Sequence, residues 1–191
     1  MKIQIPDIEQ NNLIIFDVEY DGPSLVQLAF LILTKSEPNI FALYKSVNFY
    51  VKTSQSLSHF FKQYTHITDE FLCDEGVDLS VARTLAKDAV LDINFDDCVI
   101  VSHGIDNDLK LLANNGINFN EVKYHYCTYN AAKRILERNK CLTLKDVAAE
   151  GGYYIFNEHN AYADVWGTLH AFCYLKEKED AIIRSRKLED C

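Results

Sequence analysis

The chain reads as an α/β protein with a mixed sheet covered by helices, and three features predict it. Three apolar stretches with β-forming residues follow one another early, with short connections, as the strands of an antiparallel meander do. A compact run, Cys98-Val99-Ile100-Val101-Ser102, is apolar almost throughout and leads into a helical pattern, the mark of a buried parallel strand. From there strand and helix periodicities alternate, as they do when helices pack on a sheet.

Taken in order, residues 13–19 form the first strand. Residues 24–34 and 40–51 form two more, separated by the polar, Pro-containing break Lys35-Ser36-Glu37-Pro38-Asn39, a hairpin signal. Residues 57–64 read as a short helix, and Thr68 caps another beginning near Asp69. Asp78 or Ser80 caps a helix running to about Ile93, whose apolar positions Val81, Leu85, Ala89 and Ile93 repeat every four residues. After the strand at 98–102 comes a helix over 106–115 carrying Leu109, Leu111 and Leu112, stopped by Asn115-Gly116. Residues 124–126 form a fifth strand. Helices then cover 128–138, 143–149 and 159–176, the last with Val165, Leu169, Phe172 and Cys173 on one face. The charged residues 177–191 read as a fraying tail.

At 191 residues, with 48% apolar and 25% charged positions, a single domain is expected, its core spanning about 11–176. A net charge of −9 argues against a protein that coats nucleic acid with a basic surface. It does not argue against a nucleic-acid enzyme, because divalent ions reverse the local sign at a carboxylate-rich site. The six cysteines are scattered without a Cys-x-x-Cys pair and read as free thiols of a reducing, cytoplasmic compartment. The N-terminus MKIQIPDIEQ lacks the basic and long apolar regions of a signal peptide. The longest apolar stretch, residues 25–33, contains Gln27 and is too short to span a membrane.

The chemistry begins at Phe16-Asp17-Val18-Glu19, where an apolar run ends. Residues i and i+2 of a strand share a face, so Asp17 and Glu19 project side by side. Adjacent anions repel unless something positive lies between them. A hard cation such as Mg²⁺ or Mn²⁺ suits carboxylate oxygens. Three further segments fit such a site. In Ser102 to Leu112, Asp108 stands one turn into a helix that follows a buried strand. In His159-Asn160-Ala161-Tyr162-Ala163-Asp164, histidine and aspartate meet across a helix start. Thr65-His66-Ile67-Thr68 is a polar turn after a helix. Each motif also has a plain reading. Asp17 and Glu19 are also what a solvent-facing strand end carries, Asp108 suits the helix dipole, and His159 can simply begin a helix. His103 reads as structural, bonded to backbone, and Tyr20 as a packing residue. Most of the 11 Tyr and 11 Phe read as core.

Together the segments resemble the DEDDh family of 3′→5′ exonucleases, DnaQ-like members of the ribonuclease H-like superfamily. The family's Asp-x-Glu matches Asp17 and Glu19, its second motif His103 to Asp108, and its His-x-x-x-x-Asp motif His159 to Asp164. His66-Ile67-Thr68 is similar to the family's Gly-Ile-Thr segment, and the order holds from about residue 11 to 175. Two positions depart: Tyr20 follows Glu19 where the family usually has Thr, and Gly104 follows His103 where it often has Asn.

The resemblance implies a ribonuclease H-like mixed five-stranded sheet flanked by helices. It also implies metal-dependent 3′→5′ hydrolysis of single-stranded DNA or RNA 3′ ends to nucleoside monophosphates, with two ions, Mg²⁺ or Mn²⁺. In that scheme Asp17 bridges both ions, Glu19 and Asp164 hold the one beside the nucleophile, and Asp108 serves the leaving-group side. His159 is the general base, and Tyr20, Thr68 and His66 are the substrate contacts. A second reading of the same residues is a proofreading or accessory subunit whose main role is binding a polymerase or helicase.

Overall fold

The structure, a computed structural model, describes residues 1–137 and 142–189. Six strands form one mixed sheet: β1 (Lys2–Gln4), β2 (Asn12–Asp21), β3 (Ser24–Glu37), β4 (Ile40–Tyr50), β5 (Cys98–Ser102) and β6 (Tyr124–Cys127), in the spatial order β1-β4-β3-β2-β5-β6. The first four pair antiparallel, while β5 pairs parallel with both β2 and β6. The helices are α1 (His59–Thr65), α2 (Asp69–Glu75), α3 (Leu79–Ala89), α4 (Ile105–Asn114), α5 (Thr128–Ile135), α6 (Leu144–Glu150) and α7 (Ala161–Glu189).

The alternation of β2 sorts its residues onto two cores. Ile14, Phe16 and Val18 face one, with Leu111, Leu112 and the alanines of α3. Leu13 and Ile15 face the other, against Val165, Leu169 and Phe172 of α7. Asp17 and Glu19 continue the Leu13–Ile15 row. They therefore emerge on the α7 face, at the carboxyl end of the strand. The central strand β3 is buried without a break from Leu25 to Leu33.

Several expectations need correction. The sheet has six strands, not five, because Ile3 of the short edge strand β1 pairs with Phe41 of β4. α3 ends at Ala89, not Ile93, and its buried face is Ala82, Ala86 and Ala89. Val81 and Leu85 are exposed instead, since small alanine side chains let the helix lie close to the sheet. α7 begins at Ala161, two residues later than expected, and does not end at 176. The charged segment continues it to Glu189, supported by the Lys176–Glu179 and Asp180–Arg184 pairs at 3.2 and 2.7 Å. α5 ends at Ile135; its expected end at 138 lies outside the described residues. Cys73, Cys98, Cys127 and Cys173 are free thiols; Cys141 and Cys191 lie outside the described residues. Among the described residues no helix is long and apolar enough to cross a membrane.

Candidate active site

Four carboxylates converge where the parallel strands β2 and β5 end. Ile15 pairs with Val101, so Ser102 closes β5 beside the stretch of β2 that carries Asp17. The chain then turns through Gly104, at φ 129°, a conformation that needs glycine. That turn starts α4 and brings in Asp108. Ser102 Oγ donates a short hydrogen bond to the Asp108 carboxylate. The face that β2 shares with α7 brings in Asp164 from the first turn of that helix.

The start of α7 is fixed from the sheet. Gln27, fully buried and paired with Glu19 in the ladder, accepts from the Ala161 N–H at 3.0 Å through Oε1. Its amide nitrogen donates to Asn48 at 2.8 Å. Asn160 Oδ1 accepts from the N–H groups of Tyr162 and Ala163, at 3.2 and 3.3 Å, and so caps the helix. His159 precedes this cap in the left-handed region, φ 61°, and its N–H donates to Asp164 at 3.0 Å. One ring nitrogen of His159 and one oxygen each of Glu19 and Asp164 lie within 4.8 Å of one another.

The electrostatics are those of crowded anions, Asp164 buried and Asp17, Glu19 and Asp108 half-buried. Burial raises the Asp17 carboxyl well above the usual range, and the charges of Asp164, Glu19 and Asp108 raise it further. Burial, then Asp164 and Asp108, lifts Glu19 to about 8. Burial lifts Asp164 to about 7 against the His159 N–H bond, and Asp108 to about 6 against the Ser102 bond. Among the described residues, none of the ion pairs involves these four carboxylates. An all-oxygen donor set of this density, with an imidazole beside it and no cationic side chain to neutralise it, fits a hard divalent cation. Burial also lowers the His159 imidazole, with the Glu158 charge opposing.

The structure thus brings together Asp17, Glu19, Asp108, His159 and Asp164. Two of the three expected substrate contacts, Thr68 and His66, have local duties. Thr68 accepts from Phe71 N–H at 3.2 Å and caps α2. His66 closes α1 in the left-handed region at φ 61°. Tyr20, 44% exposed, lies just beyond the irregularity that follows Glu19. His103 meets the side-chain hydroxyl of Thr128 at 2.9 Å, and burial pushes it down to about 4 against a hydrogen bond with the Leu142 backbone. Sequence reasoning missed Ser102, Gln27 and Asn160 as the supports of the cluster. A glutamine interrupting a nine-residue apolar run was the available signal for Gln27. It also missed Asp21, whose carboxylate accepts from Ser58 N–H and Oγ at 2.5 and 2.9 Å, tying α1 to the end of β2.

The exonuclease family model RNase_T matches residues 14–172. No curated protein matches the sequence. Among solved structures, E. coli exonuclease I in complex with a dA16 oligonucleotide superposes with a TM-score of 0.68 at 16% identity, covering 92% of this chain and 43% of that one. The zinc-bound form of the E. coli exonuclease I–ssDNA complex gives 0.68 at 16% identity, over 93% and 43%. A 3′-exonuclease described in 3′-end specific recognition of histone mRNA stem-loop gives 0.66 at 13% identity, over 91% and 84%. At these identities the likeness is one of fold. The chain spans under half the length of exonuclease I.

Proposed function

The chain belongs to the RNase_T exonuclease family, and on that premise we propose that it is a metal-dependent 3′→5′ exonuclease releasing nucleoside monophosphates from single-stranded ends. The observation that carries this reading is the half-buried carboxylate cluster with an imidazole nitrogen within 4.8 Å of Glu19 and Asp164 oxygens. Asp17, Glu19, Asp108 and Asp164 would hold two divalent cations, Mg²⁺ or Mn²⁺. Such cations supply charge stabilisation to the phosphodiester and acidify the attacking water.

The remaining work falls to the chain. His159 accepts the proton of the attacking water at its ring nitrogen. Its lowered proton affinity keeps it neutral and ready near pH 7. Asp164 holds the His159 backbone through the N–H bond, and Ser102 holds Asp108. Water adds to the terminal phosphorus, the bond from phosphorus to the preceding 3′ oxygen breaks, and that oxygen takes up a proton from solvent to become the new 3′ hydroxyl. Tyr20 offers an exposed ring against which a terminal base can stack, and Thr68 and His66 are the other two candidate strand contacts. The matched structures include an exonuclease bound to a DNA oligonucleotide and a 3′-exonuclease described in recognition of a histone mRNA stem-loop, so both sugars belong in the test. Single strands of DNA and of RNA, 5′-labelled, should each be incubated with Mg²⁺ or Mn²⁺. A descending ladder is expected on at least one of them, abolished by excess EDTA and absent on circular strands. Immediate release of the labelled 5′ mononucleotide, or undiminished cleavage in EDTA, would refute the proposal.

A further inference from the structure

An imidazole that serves as a base is normally held by a hydrogen bond from a third group. Among the described residues, no hydrogen bond reaches either ring nitrogen of His159; its one bond is through the backbone N–H. What meets the ring is Tyr64. The two rings stack with centroids 3.7 Å apart and planes at 29°. Phe60 also stacks with Tyr64, with centroids 5.5 Å apart and planes at 17°. Phe60 and Tyr64 are one helical turn apart on α1 and stay 73% and 51% exposed, while Phe61 and Thr65 bury the opposite side. The helix beneath them is fastened at both ends. Asp21 grips Ser58 at its start. At its end Thr65 Oγ1 donates to the Phe61 carbonyl at 2.9 Å and accepts from Ile67 N–H at 3.1 Å.

We propose that Tyr64 is a positioning residue: its ring, itself stacked with Phe60, holds the His159 imidazole at the acidic cluster in place of the missing hydrogen bond. The proposal rests on His159 being the proton acceptor of the reaction proposed above. The Tyr64 hydroxyl makes no hydrogen bond among the described residues, so the aromatic face is the part that matters. A base misplaced by about 1 Å costs a rate on the order of 10²-fold.

The test uses the full chain, Mg²⁺ and the 5′-labelled single strand. Tyr64→Ala should lower kcat about 10- to 100-fold with KM unchanged, and Tyr64→Phe should keep the wild-type rate. Tyr64→Leu, which keeps apolar bulk without an aromatic face, should behave like Tyr64→Ala and guards against a folding defect. In a His159→Ala background, Tyr64→Ala should add no further loss. The ring-current signature gives a readout independent of turnover. The His159 Cε1–H proton resonance, assigned by its disappearance in His159→Asn, should move downfield in Tyr64→Ala and hold its place in Tyr64→Phe. A raised KM at constant kcat would make Tyr64 a strand contact and overturn the proposal. So would an additive loss in the double variant, or a resonance that stays put. If the resonance moves but His159→Ala keeps its rate, the general-base reading has failed, and the positioning role falls with it.

Discussion

Removing one charge from the cluster separates its cost from its use. Asp17 is the carboxylate on which the other three act, so Asp17→Asn should cut turnover by several orders of magnitude. The same change relieves repulsion in the metal-free protein. Its Tm at pH 8 without metal should rise, by about 2–4 °C for each kcal/mol relieved; a Tm below wild type would deny the crowding. His159→Ala should slow turnover by about 10²–10⁴-fold, the range for lost acid–base help, with the Mn²⁺ affinity nearly unchanged by calorimetry. A variant within a few-fold of wild type would remove the imidazole from the mechanism. Four of the five site residues were legible in sequence because each pair lies within one element or its start, Asp17 with Glu19 by strand alternation and His159 with Asp164 across a helix entry; Asp108 was legible alone, in the first turn of the helix after a buried strand. Their supports were not. Gln27 reaches Ala161 from 134 positions away, and Tyr64 reaches His159 from α1. No local periodicity encodes such a meeting.

Elements were read well where one face is apolar and long, and misread where the packing residue is small. The four-residue repeat of Val81 and Leu85 pointed to the wrong side of α3, because hydrophobicity outranked size. The alanines Ala82 and Ala86, at 0% and 1% exposure, face the core with Ile14 and Phe16. Ala86→Leu should therefore overpack and cost about 1–3 kcal/mol. Leu85→Ala, on the exposed flank, should stay within about 0.5 kcal/mol. Urea denaturation of both variants checks the assignment, and the reverse order of stability would restore the sequence reading. The same bias hid the rest of α7. Residues 181–187 are exposed on every side, so no apolar stripe marks the helix there. Its support is ion pairs three and four residues apart, a signal that composition alone reads as a charged tail. β1 has only three residues at a sheet edge, too few to show an alternation.

At the scale of the molecule, a chain of net charge −9 concentrates four acids in one buried place, and this makes its stability depend on pH in a definite direction. Ordinary carboxyl values are 3.8 for Asp and 4.5 for Glu, while the folded protein lifts Asp108 to about 6, Asp164 to about 7 and Glu19 to about 8. Between those limits the folded state binds more protons than the unfolded one, so stability must fall as pH rises. The contribution of the protonated cluster is fully present below about pH 4 and lost by about pH 8. The metal-free Tm should accordingly drop across pH 5 to 8. Mn²⁺, binding only the folded state, should raise it again at pH 8, by about 2.7 kcal/mol of stability at a hundredfold excess over its dissociation constant. General repulsion from the net charge predicts a drop of the same sign, but the two part company in salt. At 1 M NaCl the screening length is about 3 Å, which removes most long-range repulsion and leaves a buried cluster largely unscreened. Thermal melts in EDTA, at low salt and at 1 M NaCl, should therefore keep most of the pH slope in wild type and lose in Glu19→Gln the share that the Glu19 carboxyl contributes. A slope that vanishes in salt, or is equal in both proteins, would place the pH dependence on the surface and not in the site.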